Sequence, residues 1–144
     1  MEPPDAAEII PENDVTPENI LALFKRAFYS ASLDDDGDVC VDTDGPRVYV
    51  TVMENTKLLR YTTVYGVNDT APLESKHTFV NKMNDDVILC RFSIPEHDHG
   101  ILYVDYFLPF GEGVLAFQIV SALRWFARIV PSAIRDCDDG NFVI

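Results

Sequence analysis

The stretch RVYVTVMENTKLLRYTTVYGV, residues 47–67, decides the fold. From Arg47 to Met53, valines at 48, 50 and 52 alternate with Tyr49, Thr51 and Met53, the period of two that marks a half-buried strand. Glu54-Asn55-Thr56 turns the chain, and Lys57 to Val67 continues as another strand of β-branched and aromatic residues. Just upstream, Val39 and Val41 alternate with polar residues, and Asp44-Gly45-Pro46 turns into Arg47. Three strands joined by turns this short form an antiparallel meander.

Toward the N-terminus, Asp34-Asp35-Asp36-Gly37-Asp38 reads as a turn. Before it, Thr16-Pro17-Glu18 carries a helix start: a capping hydroxyl, a proline at the first position and an acid at the positive dipole end. Ile20, Leu21, Leu23, Phe24, Ala27 and Phe28 follow at helical spacing, which predicts a first helix ending near Ser30. Residues 1–15 hold three prolines and five acids and are expected to be a flexible acidic leader.

Toward the C-terminus, Asn68 to Pro72 breaks the pattern, and Leu73, Phe79, Val80 and Met83 mark a second helix. Val87 to Ile94 and Ile101 to Pro109 read as strands four and five, joined by the polar loop from Pro95 to Gly100. Gly111-Glu112-Gly113 opens a long helix from Val114 to Val130, which Pro131 should stop. Residues 136–144 form an acidic, irregular tail. The expected order is α-β-β-β-α-β-β-α: one α+β domain over residues 16–135, with helices packed mainly on one face of a five-stranded antiparallel sheet.

The 144 residues suit one domain, and 47% hydrophobic residues with nine Phe, six Tyr and one Trp supply a core. Against 11 basic residues stand 24 acidic ones, a formal charge of -13. Such a surface repels phosphate backbones and anionic bilayers, so neither nucleic acid nor membrane is expected as a partner. Cys40, Cys90 and Cys137 are odd in number and far apart, which is no disulfide framework, and the N-terminus lacks the pattern of a signal peptide. A reducing, cytoplasmic setting follows as the expectation.

Motifs that could carry chemistry fail on spacing. A calcium loop starting at Asp34 needs Gly at its sixth position and Glu at its twelfth, where Val39 and Gly45 stand. Asp136 to Gly140 fails likewise. No G-x-S-x-G elbow is present, and no Walker lysine follows Gly111-Glu112-Gly113. His97-Asp98-His99 beside Glu96 offers imidazole and carboxylate groups on one loop, with His77 the only further histidine. That loop supports the alternative reading of a small metal-dependent or small-molecule enzyme. No catalytic residue and no cofactor are assigned.

Two surfaces carry more apolar area than an isolated domain needs. In the last helix only Gln118, Ser121, Arg124 and Arg128 are polar, one narrow stripe, whereas a surface helix needs an apolar arc of little more than 100°. Phe117, Trp125 and Phe126 suit an interface. On the sheet, period two sends Val48, Val50, Val52, Leu59, Tyr61, Cys90, Phe92, Val104 and Tyr106 inward. It sends Tyr49, Met53, Arg60, Arg91, Tyr103 and Asp105 outward. Those six, with Phe117 and Trp125, are the candidate partner or dimer surface.

The pattern as a whole resembles the YbjN family, described as bacterial sensory transduction regulators. The resemblance lies in the first helix and Asp35-Asp36-Gly37-Asp38-Val39, then Arg47-Val48-Tyr49-Val50 and Leu58-Leu59-Arg60. It continues in Val80-Asn81-Lys82-Met83-Asn84, similar to an N-x-x-N region, and in Val104-Asp105-Tyr106-Phe107-Leu108-Pro109 before a Gly-rich helix entry. It covers residues 16 to 132, although Asp85-Asp86 stands where many members place an aromatic. It implies a fold like that of type III secretion chaperones, small acidic proteins that often dimerise and hold extended partner segments. The expected function is a non-catalytic protein-binding module, regulatory or chaperone-like, homodimeric through the last helix or the sheet face. A structural subunit of a larger complex is the remaining alternative.

Overall fold

The computed structural model describes residues 2–144. Strand β1 (Ile9–Ile10) and a single 3-10 turn precede helix α1 (Pro17–Arg26). Strands β2 (Ser30–Leu33), β3 (Val39–Asp42), β4 (Val48–Met53) and β5 (Leu58–Gly66) follow. Helix α2 (Leu73–Asp86), β6 (Arg91–Ser93), β7 (Ile101–Pro109), β8 (Val114–Leu115) and helix α3 (Ala116–Cys137) complete the chain.

The main sheet runs β2-β3-β4-β5-β7-β6, antiparallel throughout, so the meander read from the 39–67 region is present. The sheet has six strands and not five, because Ser30–Leu33, between the expected end of the first helix and the Asp34 turn, pairs with β3 as an edge strand. Helix α1 begins as read, with the Thr16 hydroxyl accepting the Asn19 N–H at 3.2 Å. It ends early. Tyr29 N–H donates to the Phe24 carbonyl and Phe28 N–H to that of Lys25, both at 3.0 Å, a Schellman closure that turns the chain out of the helix at Phe28.

Helix α2 packs against edge strand β6 and α3, and helices α1 and α3 pack against the inner sheet face. Tyr61 is fully buried there, its hydroxyl donating to the Ile119 carbonyl at 2.8 Å, and its ring lies 6.4 Å from that of Phe126. Val39, Val41, Val48, Val50, Leu59 and Val104 point the same way and are buried.

Three further expectations differ from the structure. Strand four was expected over Val87–Ile94 but spans only Arg91–Ser93, because Leu89 adopts a left-handed φ of 70° that breaks an extended run. Pro131 does not stop the last helix, which continues to Cys137. Proline cannot donate to the Ala127 carbonyl four residues back, and Gly45 approaches that carbonyl so closely that a Cβ there would sit 2.9 Å from it. The leader carries β1, paired with β8, and Arg26 holds Glu8 in a two-pronged ion pair at 2.8 and 2.6 Å. Beyond Cys137 the tail forms no helix or strand element but is docked: Phe142 stacks on Phe79 at 5.4 Å, its carbonyl accepts the Asn68 N–H, and Val143 bridges Val67.

Asn84, the second asparagine of the Asn81–Asn84 region, works as a surrogate strand. Its amide donates to the Phe92 carbonyl and its carbonyl accepts the Phe92 N–H, both at 2.9 Å, closing the backbone of short β6. Asn84→Ala should lower stability by about 1–2 kcal/mol, since two backbone groups lose their partner. A urea midpoint unchanged from the wild type, or an unaltered hydrogen-exchange rate at the Phe92 amide, would contradict that role.

Candidate protein-binding surfaces

The register builds the outer sheet face from rows of directly opposed residues. One row crosses all six strands: Ser32, Cys40, Tyr49, Thr62, Asp105 and Arg91. A second sets Thr51, Arg60 and Phe107 side by side, and a third sets Val64, Tyr103 and Ser93. The six sheet residues read from the sequence, Tyr49, Met53, Arg60, Arg91, Tyr103 and Asp105, therefore share one face. Phe117 and Trp125 lie on α3, across the sheet, and belong to a different surface.

Asp105 is not available as a contact residue. It is only 1% exposed, gripped by Arg91 Nε at 3.0 Å and Nη2 at 2.6 Å, while the guanidinium lies 5.5 Å from the Phe107 ring centroid. Period two placed it on the correct face, but long side chains roof the middle of that face and bury it. The hydrogen bond and charge of Asp105 push the Arg91 guanidinium above its ordinary pKa. Beside this pair the Thr62 hydroxyl and Arg60 Nε are buried and have no hydrogen-bond partner among the described residues. Buried polar atoms are rarely left so. Phe107, alternating in phase with Asp105, and Val64, in phase with Thr62, complete the apolar part of the face; the same period-two pattern could have supplied both.

On the helical side, Trp125 packs its ring 5.6 Å from Tyr106 and borders a cleft of about 260 Å³ with Leu89 and Leu108. Leu89 and its neighbour Ile88 are among the most exposed large apolar residues of the chain, and Phe117 is half-exposed near the start of the same helix. The contribution of Leu89 follows from its left-handed backbone, which nothing in the sequence pattern announces.

The His97–His99 loop is fixed through its backbone. Buried Lys76 donates from Nζ to the His99 carbonyl at 2.6 Å, leaving the side chains of His97 and His99 exposed. Among the described residues no three His, Cys, Asp or Glu side chains gather to hold a metal ion. The acids of the Asp34 turn are used locally: Asp34 accepts the backbone N–H groups of Asp36 and Asp38 at 3.0 and 2.9 Å. Burial pushes the Cys90 thiol up to about 12, far from the range of a nucleophile. No described helix is long and apolar enough to cross a membrane.

Comparison with known proteins agrees with this architecture. The crystal structure of YbjN, "a putative transcription regulator from E. coli", superposes with a TM-score of 0.68 over 84% of this chain and 90% of that one, at 12% sequence identity. At that identity the likeness speaks for the fold. No curated protein matches the sequence. The family model described as "Putative bacterial sensory transduction regulator" matches residues 16–139, from the cap of α1 to past the end of α3. The chain therefore belongs to the YbjN family.

Proposed function

We propose that this chain is a non-catalytic protein-binding module in a regulatory or chaperone-like role, with the helix-free face of its sheet as the binding surface. The observation that carries the reading is that face itself: Tyr49, Met53, Arg60, Tyr103 and Phe107 share it, only partly buried, around Thr62 Oγ1 and Arg60 Nε, two buried polar atoms with no partner among the described residues. A bound segment would cover the apolar area of this face, to which Val64 adds an exposed side chain. Homodimerisation belongs to the same reading, through the flank of α3 where Leu89, Phe117 and Trp125 are exposed or half-exposed.

Two measurements test it. A photo-crosslinking side chain at Tyr103 should capture a partner in the native host that the same group at His97 does not, and Met53→Glu should abolish the capture. Equal capture from both positions would remove the sheet face from the reading. Light scattering on the purified chain should give twice the 16.2 kDa monomer mass, reverting to monomer in Leu89→Asp. A wild-type monomer at tens of micromolar would exclude the dimer.

A further inference from the structure

Phe28 occupies the position after the α1 C-cap, where a left-handed residue is required and glycine is the usual choice. Here φ is 70° on a bulky aromatic whose surface is 82% exposed. Such a conformation is strained, and strain that stability does not require concentrates at functional sites. The ring gains almost nothing from the core. It stands instead at the mouth of a cleft of about 790 Å³ between the β3–β4 turn and α3, which Arg124 and Arg128 also line.

Those two arginines are the pair of neighbouring cations that the chain leaves without a carboxylate, Lys25, Arg60 and Lys76 being the other basic residues without one among the described residues. Six of the eleven basic residues have a carboxylate partner: Arg26, Arg47, Lys57, Lys82, Arg91 and Arg135. Arg124 and Arg128 have none among the described residues, and Arg124 meets only the Tyr29 hydroxyl, at 3.2 Å. Spaced i, i+4, they stand about one helical turn apart on one side of α3. Two carboxylates line the opposite wall: that of Asp42 is engaged by Arg47 at 2.9 Å, and that of Asp44 makes no ion pair among the described residues, so the cleft keeps an excess of one positive charge.

We propose that this cleft is a second docking site, separate from the sheet face, and that it takes an acidic linear segment of a partner protein. Carboxylates of the segment pair with Arg124 and Arg128, and a neighbouring apolar side chain packs on Phe28. Guanidinium forks suit carboxylates, and an exposed aromatic beside them supplies the anchor that hot spots share. The net charge of -13 slows the approach of such a segment from a distance, so recognition rests on contact and not on steering.

The test is selection of a random twelve-residue peptide library on the immobilised full chain. Enriched peptides should share one or two acids beside Phe, Leu or Trp. Synthetic copies should bind Arg128→Glu at least tenfold more weakly, and bind Phe28→Gly several-fold more weakly. Phe28→Gly should also melt no lower than the wild type, because glycine accepts the left-handed position. Lost binding in that variant is therefore not lost folding. Enrichment of basic peptides, no enrichment, or equal binding to both variants would overturn the proposal, as would a homodimer in which Phe28 is buried. The reading of the sheet face stands or falls apart from these results, since Met53→Glu should leave the peptides bound.

Discussion

Arg91→Met should destabilise the protein by about 2–3 kcal/mol, while Asp105→Asn should cost roughly 1 kcal/mol or less, although both remove the same ion pair. The difference comes from where the two partners sit. The side chain of Asp105 is 1% exposed and that of Arg91 is 68% exposed. Removing the arginine strands a carboxylate under the roof of the sheet, whereas removing the carboxylate leaves a guanidinium that needs only to turn into water. A sealed pair broken on one side costs about 3–5 kcal/mol. The smaller figure applies because water can reach Asp105 once Arg91 and its stacking on Phe107 are gone. Arg91→Lys should recover only part of the loss, since an ammonium cannot make the two-pronged contact. Urea midpoints of the three variants decide the matter, and equal losses for Arg91→Met and Asp105→Asn would mean that the burial of Asp105 carries no energetic weight. The pair also bears on function: Arg91→Met frees Phe107 and should reshape the sheet face around it.

Much of the architecture is legible in the residue pattern. The valine alternation of residues 48–52 fixed which side of the meander meets the helices, because register and pleat leave one face for the core. Thr16-Pro17-Glu18 marked the start of α1 because its capping chemistry is local. Stops were harder. The first helix was extended to Ser30 because Phe28 keeps the helical spacing, and the closure at Phe24 and Lys25 uses a phenylalanine where the recognisable signal is glycine. Pro131 misled in the opposite direction, since the penalty of a proline inside a helix depends on what meets the carbonyl four residues back, and Gly45 is brought there only by the tertiary fold.

The candidate surfaces divide in the same way. Which face Tyr49, Met53, Arg60, Arg91, Tyr103 and Asp105 occupy followed from period two. That Asp105 lies beneath that face depends on Arg91 and Phe107 meeting above it, a three-body arrangement with no signature in the chain. The cleft beside Phe28 and the exposure of Leu89 both rest on non-glycine residues with positive φ. Side-chain periodicity cannot register those, because it records spacing and not backbone handedness.

Buried ionisable groups make the fold sensitive to alkali, and the size of the effect can be set in advance. Burial raises the Cys90 thiol from an ordinary 9.0 to about 12 and pushes the enclosed Tyr61 phenol well above its usual value. At pH 7 folded and unfolded chains both hold these protons, so neither group contributes any pH dependence. Above pH 9 the unfolded chain releases the Cys90 proton while the folded chain retains it, and each further unit weakens the fold by about 1.4 kcal/mol, up to roughly 4 kcal/mol by pH 12. Cys90→Ala should therefore be about 1 kcal/mol less stable than the wild type at pH 7, where it leaves only a small cavity. At pH 11 it should be more stable by roughly 1–2 kcal/mol, because the thiol's loss of some 2–3 kcal/mol is absent. The two stability curves should cross near pH 10, read as urea midpoints in the presence of a phosphine reductant. Tyr61→Phe gives an independent comparison: it gives up the bond to the Ile119 carbonyl at every pH but also removes a group that resists ionisation. If wild type and Cys90→Ala lose stability in parallel from pH 9 to 11, the alkaline sensitivity comes from the growing net negative charge and not from the buried thiol.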